Sequence, residues 1–122
     1  MDEGTKYDSG KPRIAEMVGD FKEPLLAICK VWEFGADKYE KSNWKKVDNA
    51  IDRYTNAMMR HLLEEVDNPI DSESGLHHAI HVAWNAIARL YFILQEEKKY
   101  IQPKWKDMIT DFYECNQGLL EL

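Results

Sequence analysis

The apolar side chains of this chain recur every three or four positions in three long segments, and this spacing constrains the fold most strongly. The first segment runs from Pro24 to about Glu40, the second follows Asp48, and the third begins near Leu76. Residues with this spacing share one face of an α-helix. The alternation of apolar and polar residues that is typical of strands is absent. The sequence therefore predicts an all-α protein, a bundle of about four helices.

The residues between these segments predict where helices begin and end. Pro24 suits the first turn of a helix, and Asp48 is a typical N-cap for the next helix. The turn-rich stretch DNPIDSESG separates the second long helix from the third. With 122 residues the chain is long enough for one domain with its own core. We expect a polar N-terminal arm at 1–22 with at most a short helix, core helices within 23–98, and a C-terminal helix at 103–121.

The third long helix has two opposite faces of different character. Its apolar stripe is predicted to face the core. The stripe consists of Leu76, Ile80, Ala83, Ile87, Leu90 and Leu94. Opposite it lie His78, Asn85 and Arg89, with His81 to one side. This helix face carries no acid, so it suits an anion better than Mg²⁺. A polar subunit interface is an equally good interpretation.

Phe34 is the unusual position of the first long helix. It projects about 180° away from the apolar stripe that contains Trp32 and Tyr39. Another subunit or a stacked planar ligand would cover such a ring. Gly35 costs a helix roughly 1 kcal/mol relative to alanine, which close approach of a backbone or a ligand would explain. On the second helix, Arg60 belongs to a polar face for which a solvated, ion-paired surface is the simpler interpretation.

Charge and motifs exclude several classes of function. The net charge of −6 argues against a general nucleic-acid or membrane-surface binder, because both need a basic excess. The sequence lacks an apolar leader, a stretch of transmembrane length and a disulfide framework, so we expect a cytoplasmic protein. It contains neither HExxH nor G-x-S-x-G, which argues against zinc-protease and serine-hydrolase chemistry.

Acidic residues offer a competing function. Glu33 and Asp37 are one turn apart on the first long helix, and Glu64 lies near the end of the second. A Mg²⁺ ion needs converging carboxylates. Helical pyrophosphohydrolases of the MazG type gather theirs from E-E-x-x-E and E-x-x-D runs, and the E-E-x-x-E run is absent here. If the protein is an enzyme, these three acids are its candidate metal ligands.

Four segments, in order, resemble the family of dATP/dGTP diphosphohydrolase N-terminal domains, which is phage-associated and related to MazG-like enzymes. The segments are KYDSGKPR at 6–13, EFGADKYEKSNW at 33–44, RHLLEE at 60–65 and DSESGLHHAIHVAWNAIARL at 71–90. Ser72 and His77 stand where the family pattern has proline. Both substitutions affect the shape of the loop before the third long helix more than the site.

The resemblance implies a function without catalysis. Among the relatives of that family are phage proteins that block Thoeris defence by binding cyclic ADP-ribose isomers, which TIR-domain proteins make, and sequestering them uncleaved. We therefore expect a phage anti-defence protein of this kind in the cytoplasm of the infected host. The resemblance implies no cofactor, no metal, and no nucleic-acid or membrane partner. The alternative is a Mg²⁺-dependent (d)NTP pyrophosphohydrolase.

Such a ligand offers an adenine face, ribose hydroxyls and a pyrophosphate. Stacking on Phe34 would contribute about 1–3 kcal/mol. Asn43 and Asn85 are predicted to read adenine or ribose edges, and cations to hold the pyrophosphate. The side chains predicted to donate hydrogen bonds to the phosphates are Arg60, Arg89, Lys6, Arg13 and His78. Trp44 and Trp84 are expected to pack behind the pocket. Because a site between subunits buries more of a small ligand, we predict a homo-oligomer, at least a dimer, with the pocket at its interface.

Overall fold

The computed structural model describes residues 4–98, which form four α-helices and one 3₁₀ turn. The helices are α1 (Ile14–Asp20), α2 (Lys22–Lys38), α3 (Ala50–Asp67) and α4 (His78–Glu97), and the 3₁₀ turn spans Asn43–Lys46. In this part of the chain Ile70 and His77 form an isolated antiparallel bridge, and there is no strand. The predicted all-α class is confirmed.

The helix boundaries differ from the predicted ones at several places. The N-terminal arm contains α1, and the predicted C-terminal helix at 103–121 lies outside the described residues. The prediction that Asp48 caps the next helix is wrong. Asn49 occupies the N-cap of α3 with a φ of 50°, and Asp48 instead accepts a hydrogen bond from Arg53 at 3.0 Å. None of the described helices is both long and apolar enough to cross a membrane.

Helix α4 packs on α3 through its polar face. His78, His81 and Asn85 are buried there, and His78 is only 3% exposed. Ile87 and Leu90, which were predicted to face the core, are 45% and 52% exposed. For these two residues the predicted orientation of α4 is wrong. The polar side chains lie inside because their hydrogen bonds are satisfied: His78 by His61 of α3, His81 by Ser74 of the loop before α4, and Asn85 by the backbone of α4 itself.

The described chain leaves many large apolar side chains exposed. Within residues 4–98 the buried apolar residues are Val31, Ala50 and Ala88. On α3, by contrast, Leu63 and Val66 are 68% and 83% exposed. Apolar surface of this kind is typical of a protein–protein interface. The homo-oligomer remains a prediction.

The 3₁₀ turn connects three of the helices through Trp44. The Trp44 ring makes edge contacts with Trp84, Tyr91 and Phe92 of α4 at centroid distances of 5.7, 5.0 and 6.1 Å. Its backbone carbonyl oxygen accepts a hydrogen bond from the Tyr54 hydroxyl of α3. The turn also contacts α2. This arrangement fixes the position of the cavity described next.

Candidate functional site

A cavity of about 450 Å³ lies between α2, the 3₁₀ turn, α3 and α4. Aromatic rings form much of its wall. These are Trp32 and Tyr39 from α2 and the residue after it, Trp44 from the turn, Tyr54 from α3, and Trp84 from α4. Pockets of about 300–1,000 Å³ accommodate small organic ligands. The cavity is therefore large enough for a nucleotide and presents several π-faces to it.

Two of the aromatic predictions need correction. Trp32 and Tyr39 were predicted to pack in the core, but they are exposed residues that line the cavity. Trp44 and Trp84, which were expected behind the pocket, form part of its wall. The spacing of apolar residues predicted a single core-facing stripe on α2, whereas the side of α2 that carries Trp32 and Tyr39 borders the cavity.

The polar part of the wall is cationic on balance. Among the described lining residues Glu40 is the only acid, and its carboxylate pairs with Lys46 at 2.7 Å, which lowers the pKa of Glu40. Arg53 forms an ion pair with Asp48 at 3.0 Å. Arg60 also lines the cavity and forms no ion pair or hydrogen bond with any other residue in 4–98. Its guanidinium group is available to an anion.

Amides complete the lining. Asn43 and Asn56 reach the cavity, and within residues 4–98 their side chains form no hydrogen bonds. Asn85 uses Nδ2 to donate to the backbone oxygen of His81 at 2.8 Å. An amide side chain both donates and accepts, which suits the edge of a base or a ribose hydroxyl. Gly35 lines the same wall, and a Cβ built on it would meet no atom of the described residues within 4 Å beyond the adjacent stretch of α2.

The structure brings three of the predicted ligand-binding residues, Asn43, Arg60 and Asn85, into this cavity. Their contacts with a ligand remain predictions. The face of α3 that carries Arg53, Asn56 and Arg60 was interpreted as solvated, and the structure shows that it borders the cavity. The residue pattern could not reveal this, because the opposite wall comes from α2 and the turn.

The other predicted ligand residues lie outside the cavity. The Lys38 ammonium lies over the Phe34 ring, 5.9 Å from the centroid of that ring. Arg89 donates from Nε to the Thr55 hydroxyl at 2.7 Å and so links α4 to α3. His78 is buried between these helices. Of the N-terminal cations, Lys6 is exposed, and Arg13 is exposed and pairs with Glu16 at 3.3 Å.

The three acids considered for an enzyme do not share a site in the described chain. Glu33 and Asp37 do not line the cavity, and Glu33 accepts a weak hydrogen bond from the exposed Cys29 thiol at 3.5 Å. Glu64 lies near the end of α3 beside histidines. Within residues 4–98 one group of potential metal ligands comes together, and it contains Glu64 but neither Glu33 nor Asp37.

This second cluster lies between α3 and the loop of residues 68–77. The Nδ1 atoms of His61 and His78 are 2.8 Å apart, so one ring donates a hydrogen bond to the other. His61 also stacks on His81 with a centroid distance of 4.4 Å and an interplanar angle of 6°. Burial lowers the pKa of both His61 and His81, which keeps these rings neutral at pH 7.

Ser74 links the loop to α4. Its hydroxyl lies 2.7 Å from Asp71 Oδ2 and 2.7 Å from His81 Nε2. Since an ionised carboxylate only accepts, the hydroxyl donates to Asp71 and accepts from His81 Nε2–H. Burial acts to raise the pKa of the Asp71 carboxyl, but the bonds from Ser74 and the nearby His81 outweigh it and lower that pKa. A nucleophilic serine would donate to histidine, so this arrangement is structural.

Comparison with known proteins shows that the chain matches one protein family. Residues 1–103 match the family model described as dATP/dGTP diphosphohydrolase, N-terminal. A protein named dATP/dGTP diphosphohydrolase from Salmonella phage PMBT28 is 32% identical over 103 residues, which are 84% of this chain and 33% of that protein. The chain thus spans about a third of the length of that relative. No solved structure matches this chain.

Proposed function

The chain belongs to the family of dATP/dGTP diphosphohydrolase N-terminal domains, and on that premise we propose that its cavity binds a nucleotide and sequesters it uncleaved. The proposed ligand is a signalling nucleotide of the cyclic ADP-ribose type made by TIR-domain Thoeris proteins. A phage protein of this kind would block the immune signal of the host. The observation that carries the proposal is a nucleotide-sized aromatic cavity lined by Arg60, which forms no ion pair with another residue in 4–98.

The lining includes side chains of the types that would contact an adenine nucleotide. Trp32, Trp44 or Trp84 offers a surface for base stacking, which contributes about 1–3 kcal/mol per base. Arg60 provides a planar fork of donors for the pyrophosphate. Asn43 and the other amides offer donor and acceptor atoms for base edges and ribose hydroxyls. These groups lie on three helices and a turn, so they approach a ligand from several sides.

The same lining argues against cleavage in the cavity. Metal-assisted pyrophosphate hydrolysis needs carboxylates that converge on a Mg²⁺ ion. Among the described lining residues Glu40 is the only acid, and Lys46 neutralises it. A cavity with a cationic balance attracts the phosphates of a ligand but not the metal ion. Binding without hydrolysis is therefore the function that this geometry supports best.

The second candidate is a Mg²⁺-dependent (d)NTP pyrophosphohydrolase. The name of the Salmonella phage relative favours it. That name describes a protein about three times as long as the shared region, so the activity and the shared region need not coincide. On this alternative, the domain would bind a purine nucleotide, and its candidate metal ligands would be Glu33, Asp37 and Glu64, which do not share a site within residues 4–98.

We also propose that the protein acts as a homo-oligomer. The exposed apolar side chains of α3, above all Leu63 and Val66, offer a surface for a second copy. Tyr39 is 62% exposed at the edge of the cavity. A second copy that covered this edge would bury more of the ligand and slow its release.

A release assay separates the two functions. The protein is incubated with a cyclic ADP-ribose isomer, freed of unbound ligand, and denatured by heat, and the supernatant is analysed by chromatography. Sequestration predicts recovery of the intact ligand in proportion to the protein. A parallel incubation with dATP or dGTP and Mg²⁺ is assayed for pyrophosphate. Release of nucleoside monophosphate and pyrophosphate with turnover would overturn the proposal in favour of the hydrolase.

A further inference from the structure

The histidine and acid cluster between α3 and the loop of residues 68–77 lies apart from the cavity, since none of its ligand atoms belongs to a cavity-lining residue. We propose that His61, Glu64, Asp71 and His78 bind a divalent transition-metal ion of the zinc class. Each of these residues offers one ligand atom, and the four atoms lie within 4.8 Å of one another. The site clamps the loop to α3 and supports the fold.

The donor set fits this class of ion. Two imidazole nitrogens and two carboxylate oxygens form a mixed set that suits Zn²⁺ and its neighbours in the first transition row. Ca²⁺ and Mg²⁺ prefer oxygen ligands alone. Four protein ligands fill a tetrahedral shell without an open position for substrate, which is typical of structural zinc sites. The chemistry thus points to a structural ion and away from a catalytic one.

The fold positions each ligand by a separate local feature. His61 and Glu64 are three residues apart on α3, so they lie on the same face of the helix. His78 is the first residue of α4, and its backbone N–H donates to the oxygen of Pro69 at 2.8 Å. Asp71 sits in the loop, where its backbone N–H donates to the Leu76 oxygen at 2.8 Å.

Outer-shell hydrogen bonds orient the Asp71 carboxylate. Its contacts with Ser74 and His81 use Oδ2, and within residues 4–98 no bond uses Oδ1. The carboxylate is therefore held at one oxygen and can offer the other to a metal ion. Partners of this kind fix the orientation of metal ligands and raise the affinity of a site.

A small movement accommodates the ion. Two nitrogens bound to one tetrahedral Zn²⁺ lie about 3.3 Å apart, given Zn–N bonds of about 2.0–2.1 Å. The Nδ1 atoms of His61 and His78 are 2.8 Å apart, so the rings must separate by about half an ångström. The ring that donates Nδ1–H in the metal-free pair then carries its proton on Nε2. Glu64 is mostly exposed, which leaves a path for the ion and freedom to adjust.

Metal content and titration calorimetry test the site on the full chain. The protein is treated with a chelator, dialysed against Zn²⁺, and analysed for bound zinc. We expect one ion per chain and a higher melting temperature with Zn²⁺ than without it. Ser74→Ala removes an outer-shell partner and should weaken binding by about 10–100-fold. His61→Ala and Glu64→Gln remove ligands and should weaken it more.

Matched controls use other potential ligands of the same chain. His77→Ser changes a neighbouring histidine outside the cluster and leaves a side chain able to cap α4. Cys29→Ser removes the exposed thiol. Both variants should bind Zn²⁺ like the wild type, and the Co²⁺ form of the wild type should show no thiolate charge-transfer band.

Three results would overturn the proposal: no stoichiometric zinc on the wild type, unchanged affinity in Glu64→Gln, or loss of binding in Cys29→Ser. Glu64→Gln decides the question if His61→Ala does not fold, because the Glu64 side chain is exposed and its exchange alters little packing. Circular dichroism of each variant verifies the helical fold before the titration.

Discussion

The hydroxyl of Tyr54 donates a hydrogen bond to the backbone carbonyl oxygen of Trp44 at 2.8 Å. The bond joins α3 to the 3₁₀ turn, and both residues line the cavity. Because burial raises the pKa of Tyr54, its hydroxyl stays protonated and continues to donate in alkaline buffer. The position of the turn, and with it one wall of the cavity, therefore depends on this contact.

Tyr54→Phe removes this bond and keeps the ring, which stacks on Phe92 at 6.0 Å. We expect the free energy of unfolding to fall by about 0.5–1.5 kcal/mol, the net value of one hydrogen bond. Nucleotide affinity should fall as well, because the turn becomes less ordered. Urea denaturation and calorimetry measure the two effects. An unchanged stability and affinity would show that packing of Trp44 alone holds the turn.

Gly35→Ala should raise stability and weaken binding. Alanine favours the helix by about 1 kcal/mol over glycine, and within 4 Å the added methyl group would contact none of the described residues beyond the adjacent stretch of α2. The open space beside Gly35 belongs to the cavity wall, where a ligand would meet that methyl group.

Gly19→Ala is the matched control, because Gly19 lies in α1 outside the cavity, and a Cβ built on it would likewise contact no described residue beyond its own helix within 4 Å. It should leave affinity unchanged. Equal affinity in the Gly35 variant would mean that the ligand does not approach α2 closely at this point.

Arg60→Ala should reduce nucleotide affinity, because this arginine lines the cavity and pairs with no acid among residues 4–98. Hydrogen bonds to charged groups contribute about 1.5–3 kcal/mol, which corresponds to about 10–150-fold in the dissociation constant. The effect should shrink as salt rises. Lys30→Ala removes an exposed cation of α2 that does not line the cavity and serves as the control. Equal losses in the two variants would indicate attraction by overall charge and no specific contact.

Arg89→Ala separates a structural arginine from a binding one. Its Nε donates to Thr55 in the contact between α3 and α4, so stability should fall by about 1–3 kcal/mol. Affinity per folded molecule should stay close to that of the wild type. Thermal denaturation and calorimetry at low temperature test this pair of outcomes. A stable variant that no longer binds would return Arg89 to the ligand site that the sequence predicted.

A double variant, Leu63→Glu with Val66→Glu, tests the oligomer. These exposed side chains of α3 would face a second copy, and charges there oppose association. Sedimentation velocity should show an assembled wild type and a smaller variant with intact helical content. A monomeric wild type at micromolar concentration would contradict the predicted assembly.

The fold class and the long helices could be predicted from the sequence because local spacing determines them. The orientation of α4 could not, since burial of His78 and His81 depends on partners that α3 and the loop supply. Asn43, Arg60 and Asn85, which were predicted as ligand residues from the family resemblance and the chemistry of its ligand, line the cavity.

Phe34 shows the limit of counting faces on a single helix. A ring opposite the apolar stripe was predicted to meet either another subunit or a ligand, but the cavity lies on the side of α2 that carries Trp32 and Tyr39. Which face of a helix borders a cavity depends on its neighbours. The Trp44 turn supplies that wall from an irregular segment, where spacing carries little information.

Titration of the wild type with a cyclic ADP-ribose isomer by calorimetry tests the central claim most directly, with Arg60→Ala titrated beside it. The account predicts saturable binding by the wild type and a dissociation constant raised about 10–150-fold in the variant. The ligand recovered from the calorimeter cell should be chemically unchanged. No binding by the wild type, or equal binding by the two proteins, would contradict the assignment of the cavity as a nucleotide site.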